Sequence, residues 1–189
     1  RLEVDGRSFG IVAGQVLRLE DPGLFSAGTG LSGVRSDWLL AAHYQGPEGL
    51  DLMNRILIDE DMSITQNELR LRYGGERFDL GASFIWQVAD PVQDRPIPTR
   101  QLTLNTGWTF AEGWTGTAGT RYDLQADKAT KASVGLQFRN ECTELDLSLS
   151  RRFTSSTSVD PVTDFNFQLT LNGFGQRARG QSFRQSCGG

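Results

Sequence analysis

The sequence lacks any long apolar run. Its 189 residues are 38% hydrophobic with a mean hydropathy of -0.37, and no stretch approaches the roughly 20 apolar residues that a membrane helix needs. Helical spans are excluded; barrel spans are not, because half of each membrane-barrel strand faces a polar lumen. Metal ligands are scarce too. With one His and two cysteines, Cys142 and Cys187, far apart in the chain, neither a transition-metal site, nor a CxxC pair, nor a disulfide scaffold is expected. Excess positive charge is missing: 19 Lys and Arg against 23 Asp and Glu give a net charge of -4. The basic residues are scattered, so no nucleic acid partner is expected. The chain has no initiator Met and no signal peptide at Arg1, and Arg1–Gly6 reads as the end of an earlier strand or turn. It is expected to be a piece of a longer protein.

What the chain does have is alternation. In DFNFQLTLNGF (Asp164–Phe174), Phe165, Phe167, Leu169 and Leu171 share one face, and Asn166, Gln168, Thr170 and Asn172 the other. A period of two predicts a strand with one apolar and one polar face. The pattern recurs in about ten segments, each near the ~9–11 residues of a tilted membrane strand. They are Ser8–Leu19, Arg35–Gln45, Gly49–Asp59, Ile64–Tyr73, Arg77–Ala89, Gln101–Phe110, Trp114–Gln125, Lys131–Asn140, Cys142–Phe153 and Asp164–Phe174. In Cys142–Phe153, Leu145, Leu147 and Leu149 oppose Glu144, Asp146, Ser148 and Ser150. The fold class this predicts is all-β, an antiparallel up-and-down transmembrane barrel segment forming part of a larger barrel. Period alone does not say which face points inward; a soluble barrel or sandwich would reverse it.

The connections favour the membrane. Tight turns at Gln45–Gly49, Gly74–Glu76, Ala111–Gly113 and Arg139–Cys142 alternate with the longer links Glu20–Val34, Glu60–Ser63, Ala89–Arg100, Ala126–Thr130 and Thr154–Thr163. Outer-membrane barrels sort their loops in this way, with short periplasmic turns and longer outer loops. Trp38, Tyr44, Tyr73, Trp86, Trp108, Phe110, Trp114, Tyr122 and Phe153 fall near strand ends, as interface girdles require. Glu20–Val34 and Ala89–Arg100 are long enough to fold over a barrel mouth.

Three segments carry a family resemblance: RNECTELDLSLSRRFTSSTSVDPVTDFNFQLTLNGFG (Arg139–Gly175), VLRLEDPGLFSAGTGLSGVRSDWLL (Val16–Leu40) and LRLRYGGERFDLGASFIWQVADP (Leu69–Pro91). They resemble the C-terminal barrel half of the LptD family of LPS-assembly proteins, most closely from Arg139 onward. The resemblance implies that residues 1–175 are the C-terminal portion of a very large barrel in the outer membrane of a Gram-negative bacterium, with 176–189 a periplasmic tail. Implied partners are lipopolysaccharide, an LptE-like lipoprotein plug, outer-membrane lipid, and a periplasmic bridge protein reached through an N-terminal jelly roll outside this chain. Asp164–Phe174 becomes the last strand, with Phe165, Phe167, Leu169 and Leu171 at one lip of a lateral opening. Glu144, Asp146, Ser148, Asn166, Gln168 and Thr170 become lumen wall, as do Ser133, Gly135, Gln137, Thr103, Asn105 and Gly107. C-terminal cysteines of the family pair with N-terminal ones. Cys142 matches that position, but Thr143 follows it where the family can carry a second Cys, so bonding to an upstream cysteine and a local Cys142–Cys187 bond both stay open.

Other candidates have plainer readings. His43 with Ser36 and Asp37 invites a hydrolase, but His43 and Asp37 lie far apart along one strand and no GxSxG motif is present. Asp59–Asp61 is an acidic turn able to meet a divalent cation, though such a run is commonly a solvated turn. Of Arg151 and Arg152, one faces the lumen and can meet a lipid phosphate; the plainer role is a rim charge. No catalytic residue, cofactor or metal is expected. The chain reads as a non-enzymatic component of a lipopolysaccharide translocon; the alternatives are a small stand-alone porin-like or adhesive barrel, closed between Ser8–Leu19 and Asp164–Phe174, and an outer-membrane lipid hydrolase.

Overall fold

The structure, a computed structural model, describes residues 2–153 and 160–171. Eleven strands form one antiparallel sheet in which each strand pairs with the next in the chain. They are β1 (Leu2–Val4), β2 (Arg7–Gly14), β3 (Trp38–Gln45), β4 (Leu50–Ile58), β5 (Ile64–Gly74), β6 (Phe78–Gln87), β7 (Thr99–Ala111), β8 (Trp114–Asp123), β9 (Lys128–Arg139), β10 (Thr143–Arg152) and β11 (Thr163–Leu171). Among the described residues the sheet is not closed: β1 and β11 are its two edges.

All ten expected segments form strands, and the residues read as the end of an earlier strand contribute β1. Among the described residues, closure of Ser8–Leu19 against Asp164–Phe174 is not formed. Both sides of β2 are taken, by β1 and β3. The first two segments are also shorter than expected, β2 stopping at Gly14 and β3 starting at Trp38. Beyond Gly14 the side chains intervene: Ser36 Oγ accepts the Val16 N–H at 2.9 Å and Gln15 Nε2 donates to the Ser36 carbonyl at 2.8 Å. One isolated bridge, Leu17 to Arg35, survives past that point. Asn172–Phe174 and the 176–189 tail lie outside the described residues.

The tight turns are built as their residues dictate. Asp5 and Gly6 both have positive φ, 50° and 71°, the conformation of a two-residue hairpin turn matched to strand twist. At the β9–β10 turn, Asn140 Oδ1 accepts the N–H groups of Cys142 and Thr143 at 3.0 and 2.7 Å, a local side-chain substitute for a backbone turn bond. At the opposite end of the sheet, the connections at residues 15–37, 59–63 and 88–98 are longer than any at the tight-turn end, and 124–127, at four residues, equals 46–49.

Directly opposed residues of an antiparallel pair share a face, so the register gives each face a composition. On one face run Phe9, Tyr44, Leu52, Leu71, Ala82 and Leu104 across β2–β7. The same face continues through Val134, Leu149 and Phe165 on β9–β11. The other face carries Arg70, Ser83, Thr103, Arg121, Lys131 and Arg152 in successive register. At the tight-turn end of the apolar face the aromatics form a belt, with Trp114 against Phe138 at 4.8 Å between ring centroids and Trp108 against Phe110 at 6.0 Å. Trp38 and Trp86 occupy the long-loop end of that face.

A single layer has no interior. Among the described residues the buried polar or charged side chains are Ser8, Ser36, Glu68 and Asp90, while no hydrophobic side chain is buried. Phe165 on β11 is 69% exposed. Among the described residues nothing covers the apolar face, and an apolar face left uncovered forfeits the main driving force of folding.

Gly49 sits at φ 74°, and a methyl there would lie 2.5 Å from the Gly74 carbonyl oxygen. Gly49→Ala should destabilise the sheet by about 1–3 kcal/mol. Gly10, where a methyl would have nothing within 4 Å, should accept Ala within about 0.5 kcal/mol. Urea midpoints of the two variants in detergent micelles check the contrast.

Candidate functional site

The polar face is the surface with chemistry on it. On β10 and β11, Glu144 opposes Thr170, Asp146 opposes Gln168 and Ser148 opposes Asn166, so the six expected wall residues stand side by side. Gln137 Nε2 donates to Asp146 Oδ2 at 2.8 Å and Arg139 pairs with Glu144. Ser133, Gly135, Gln137, Thr103, Asn105 and Gly107 continue the same face through β9 and β7. Phe165, Phe167, Leu169 and Leu171 stand on the opposite face of β11, whose outer edge is unpaired among the described residues.

Toward β4 and β5 the face is charged. Glu68, 3% exposed, receives Arg55 on Oε2 at 2.6 Å and Arg70 on Oε1. Nearly buried, it is held by two guanidinium groups that themselves reach water. His43 Nε2 lies 3.0 Å from Asp51 Oδ2. The Ser36, Asp37 and His43 trio is not assembled. Ser36 Oγ donates to the Asp37 carbonyl, Asp37 Oδ2 accepts Thr65 Oγ1 at 2.5 Å, and His43 turns to Asp51. Asp59 serves its own turn, its Oδ1 accepting the Ser63 N–H at 2.8 Å. Of the arginine pair, Arg152 faces the polar side opposite Lys131, while Arg151 lies on the apolar side, 5.6 Å from the Phe153 ring centroid.

The two long loops make a cap. Residues 15–37 lean over the polar face of β3–β5, where Leu39 and Leu57 oppose one another. Gly30 packs so closely on the Leu57 side chain that a methyl would meet it at 3.0 Å. These two leucines break the alternation of their strands, and the loop is the reason: they are its apolar seat. A cleft of about 510 Å³ remains between Gln15, Thr29, Leu31, Arg55 and Gln66. From there the loop reaches residues 88–98. Ser26 Oγ donates to Asp90 Oδ2 at 2.5 Å, and Arg95 donates to the Gln87 side chain, to the Val88 carbonyl and, at 3.4 Å, to the Gly28 carbonyl. Asp90 and Arg95 also exchange backbone hydrogen bonds at 2.6 and 3.0 Å.

The sequence pattern anticipates loops able to cover a mouth but not their clasp. Asp90 is buried by a partner 64 residues away, and nothing local to Ala89–Pro91 signals it. The Glu68 cluster is visible in the sequence as a polar strand phase, without its pairing.

An amphipathic up-and-down meander with a hydrogen-bonded polar face, an unburied apolar face and its longer loops at one end is a wall of the β-barrel class. Among the described residues no helix is long and apolar enough to cross a membrane, a statement that does not bear on strands. No family model matches the chain. It is similar to the LPS-assembly protein LptD of Nitrosomonas eutropha, 28% identical over 167 residues that cover 84% of this chain and 21% of that protein. The chain thus spans about a fifth of the length of the relative it matches.

Glu68→Gln should lower stability by about 1–2 kcal/mol, less than for a fully buried pair because both arginines reach water; urea titration reads it. Asp90→Ala should leave the sheet intact and raise proteolytic cutting within residues 15–37 several-fold, since a loop held by few contacts opens locally.

Proposed function

We propose that the chain is a wall of a large outer-membrane barrel that takes part in assembling lipopolysaccharide into the outer leaflet. The observation that carries this reading is the similarity to an LPS-assembly protein over 84% of the chain, on a sheet with the two faces such a wall needs. A non-enzymatic role follows: the wall guides a lipid whose sugar needs water and whose acyl chains do not. The polar face, with Asp146, Ser148, Asn166 and Gln168 abreast, offers a hydrated track for the saccharide. The apolar face, with its aromatic belt at the tight-turn end, meets membrane lipid.

The edge strand β11 is the proposed lip of a lateral opening. Its outer edge, unpaired among the described residues, is free to join and part from a further strand without breaking the β10–β11 ladder. A lipoprotein plug of the LptE kind and a periplasmic bridge protein complete the proposed assembly, the latter docking on a domain outside this chain. In the same reading a disulfide of Cys142, in the β9–β10 turn on the periplasmic side of this arrangement, ties the wall to a periplasmic segment. Cys187, its other proposed partner, lies outside the described residues.

A photo-crosslinking amino acid placed in the full-length protein in growing Gram-negative cells tests the reading. At Ser133, Ser148 or Asn166 it should give lipopolysaccharide adducts; at Val134, Leu147 or Phe165 it should give membrane-lipid adducts. Absence of lipopolysaccharide adducts from every polar-face position would overturn the proposal. In the same protein, Leu147→Arg should cost about 2–4 kcal/mol in a bilayer and Ser148→Arg much less, because the first puts a charge toward lipid and the second toward the lumen. Reversible denaturant titration in lipid vesicles measures both.

A further inference from the structure

We propose that Arg121, Lys131 and Arg152 form a binding row for phosphoryl groups on the polar face. This rests on the lumen-wall reading above. Arg121 of β8 directly opposes Lys131 of β9, and Lys131 directly opposes Arg152 of β10. Directly opposed side chains start about 4.5–5.5 Å apart at Cβ, and like charges in that relation repel. Three abreast is therefore an arrangement with a cost, in a chain whose net charge is negative.

Of the other guanidinium groups on this face, Arg55 and Arg70 share Glu68, Arg139 holds Glu144, and Arg72 directly opposes Asp51. None of the three cations in the row has a carboxylate partner among the described residues, and all three are exposed. The nearby acids do not reach them. Asp123, two residues beyond Arg121, turns its Oδ1 to the N–H groups of Gln125 and Ala126 at 2.9 and 3.0 Å. Asp164 lies across β10, opposite Ser150.

The next row toward the tight turns is small and hydroxylated: Gly119 opposes Ser133, which opposes Ser150. A methyl at Gly119 would come within 2.9 Å of Ser133 Oγ, so the floor beside the cations is kept shallow. Three positive side chains above two serine hydroxyls match a phosphoryl dianion, with guanidinium able to bind two oxygens at once. A single carboxylate would leave most of that charge uncompensated.

The test uses the full-length protein in detergent micelles, with lipopolysaccharide carrying its phosphates, the same lipid enzymatically dephosphorylated, and inorganic phosphate as competitor. The proteins are the native chain, the triple variant Arg121→Gln/Lys131→Gln/Arg152→Gln, a Lys128→Gln control, and Arg121→Lys/Arg152→Lys. The triple variant should bind the phosphorylated lipid roughly tenfold more weakly, the loss expected for several charge-assisted bonds, and lose discrimination against the dephosphorylated form. The control should match the native chain, and the lysine variant should recover most of the affinity. Competition by millimolar inorganic phosphate against the native chain alone would assign the row to the phosphoryl group itself. Equal affinity of native and triple-variant proteins for the phosphorylated lipid would overturn the proposal. If lipopolysaccharide crosslinks to Ser133 in cells while the triple variant binds normally, this inference alone falls. If no polar-face position crosslinks, the translocon reading falls, and native-only phosphate binding still decides the row.

Discussion

Register is the constraint from which the rest follows. Because side chains alternate with a period of two, sliding any one strand by a single residue would send its apolar set to the polar face and its charges to the apolar one. Ten successive pairings hold the same phase here, from Leu2 against Phe9 at one edge to Leu169 against Leu145 at the other. Irregularities in the ladder fall near strand ends, at Leu57/Ile58, Thr109/Ala111 and Arg121/Tyr122, where a bulge can be absorbed without inverting the strand it belongs to. The two faces are thus a collective property of the pairing, and no individual residue creates them.

The polar face is organised by a division of labour between its two halves. Around β4 and β5 the carboxylates are consumed internally, Glu68 by two arginines and Asp51 by His43. The 15–37 loop then covers Leu39 and Leu57 and is clasped at Asp90. From β7 to β11 the face is uncapped by those loops, rich in Ser, Thr, Asn and Gln, and in the Arg121–Lys131–Arg152 row its cations are not consumed. In the proposed function the first half is scaffold and the second is track.

The strands and their sidedness are legible in the sequence because alternation is a local signal: Asp164–Leu171 and Thr143–Ser150 show it without reference to any neighbour. The sorting of short and long connections is legible for the same reason. The clasp is not, since the Ser26–Asp90 and Gly28–Arg95 contacts join residues more than 60 positions apart. Alternation misplaces a strand end where a side chain replaces the ladder, as Ser36 does beyond Gly14. Leu39 and Leu57 look like faults in the pattern because the surface they serve is a loop from elsewhere in the chain. Which of Arg151 and Arg152 faces the polar side follows only from the register with Lys131.

Every pairing in this sheet joins strands adjacent in the chain. A sheet of this kind can be laid down one strand at a time, each new hairpin closing a short loop before the next begins, which is the low-contact-order route to a folded state. At every stage of such growth the nascent structure exposes a single advancing edge, and that edge is a template for any other strand that reaches it. The topology therefore makes biogenesis a problem of chaperoning one moving front, and makes the number of strands, and with it the girth of a barrel, adjustable by adding or deleting hairpins without re-pairing those already in place.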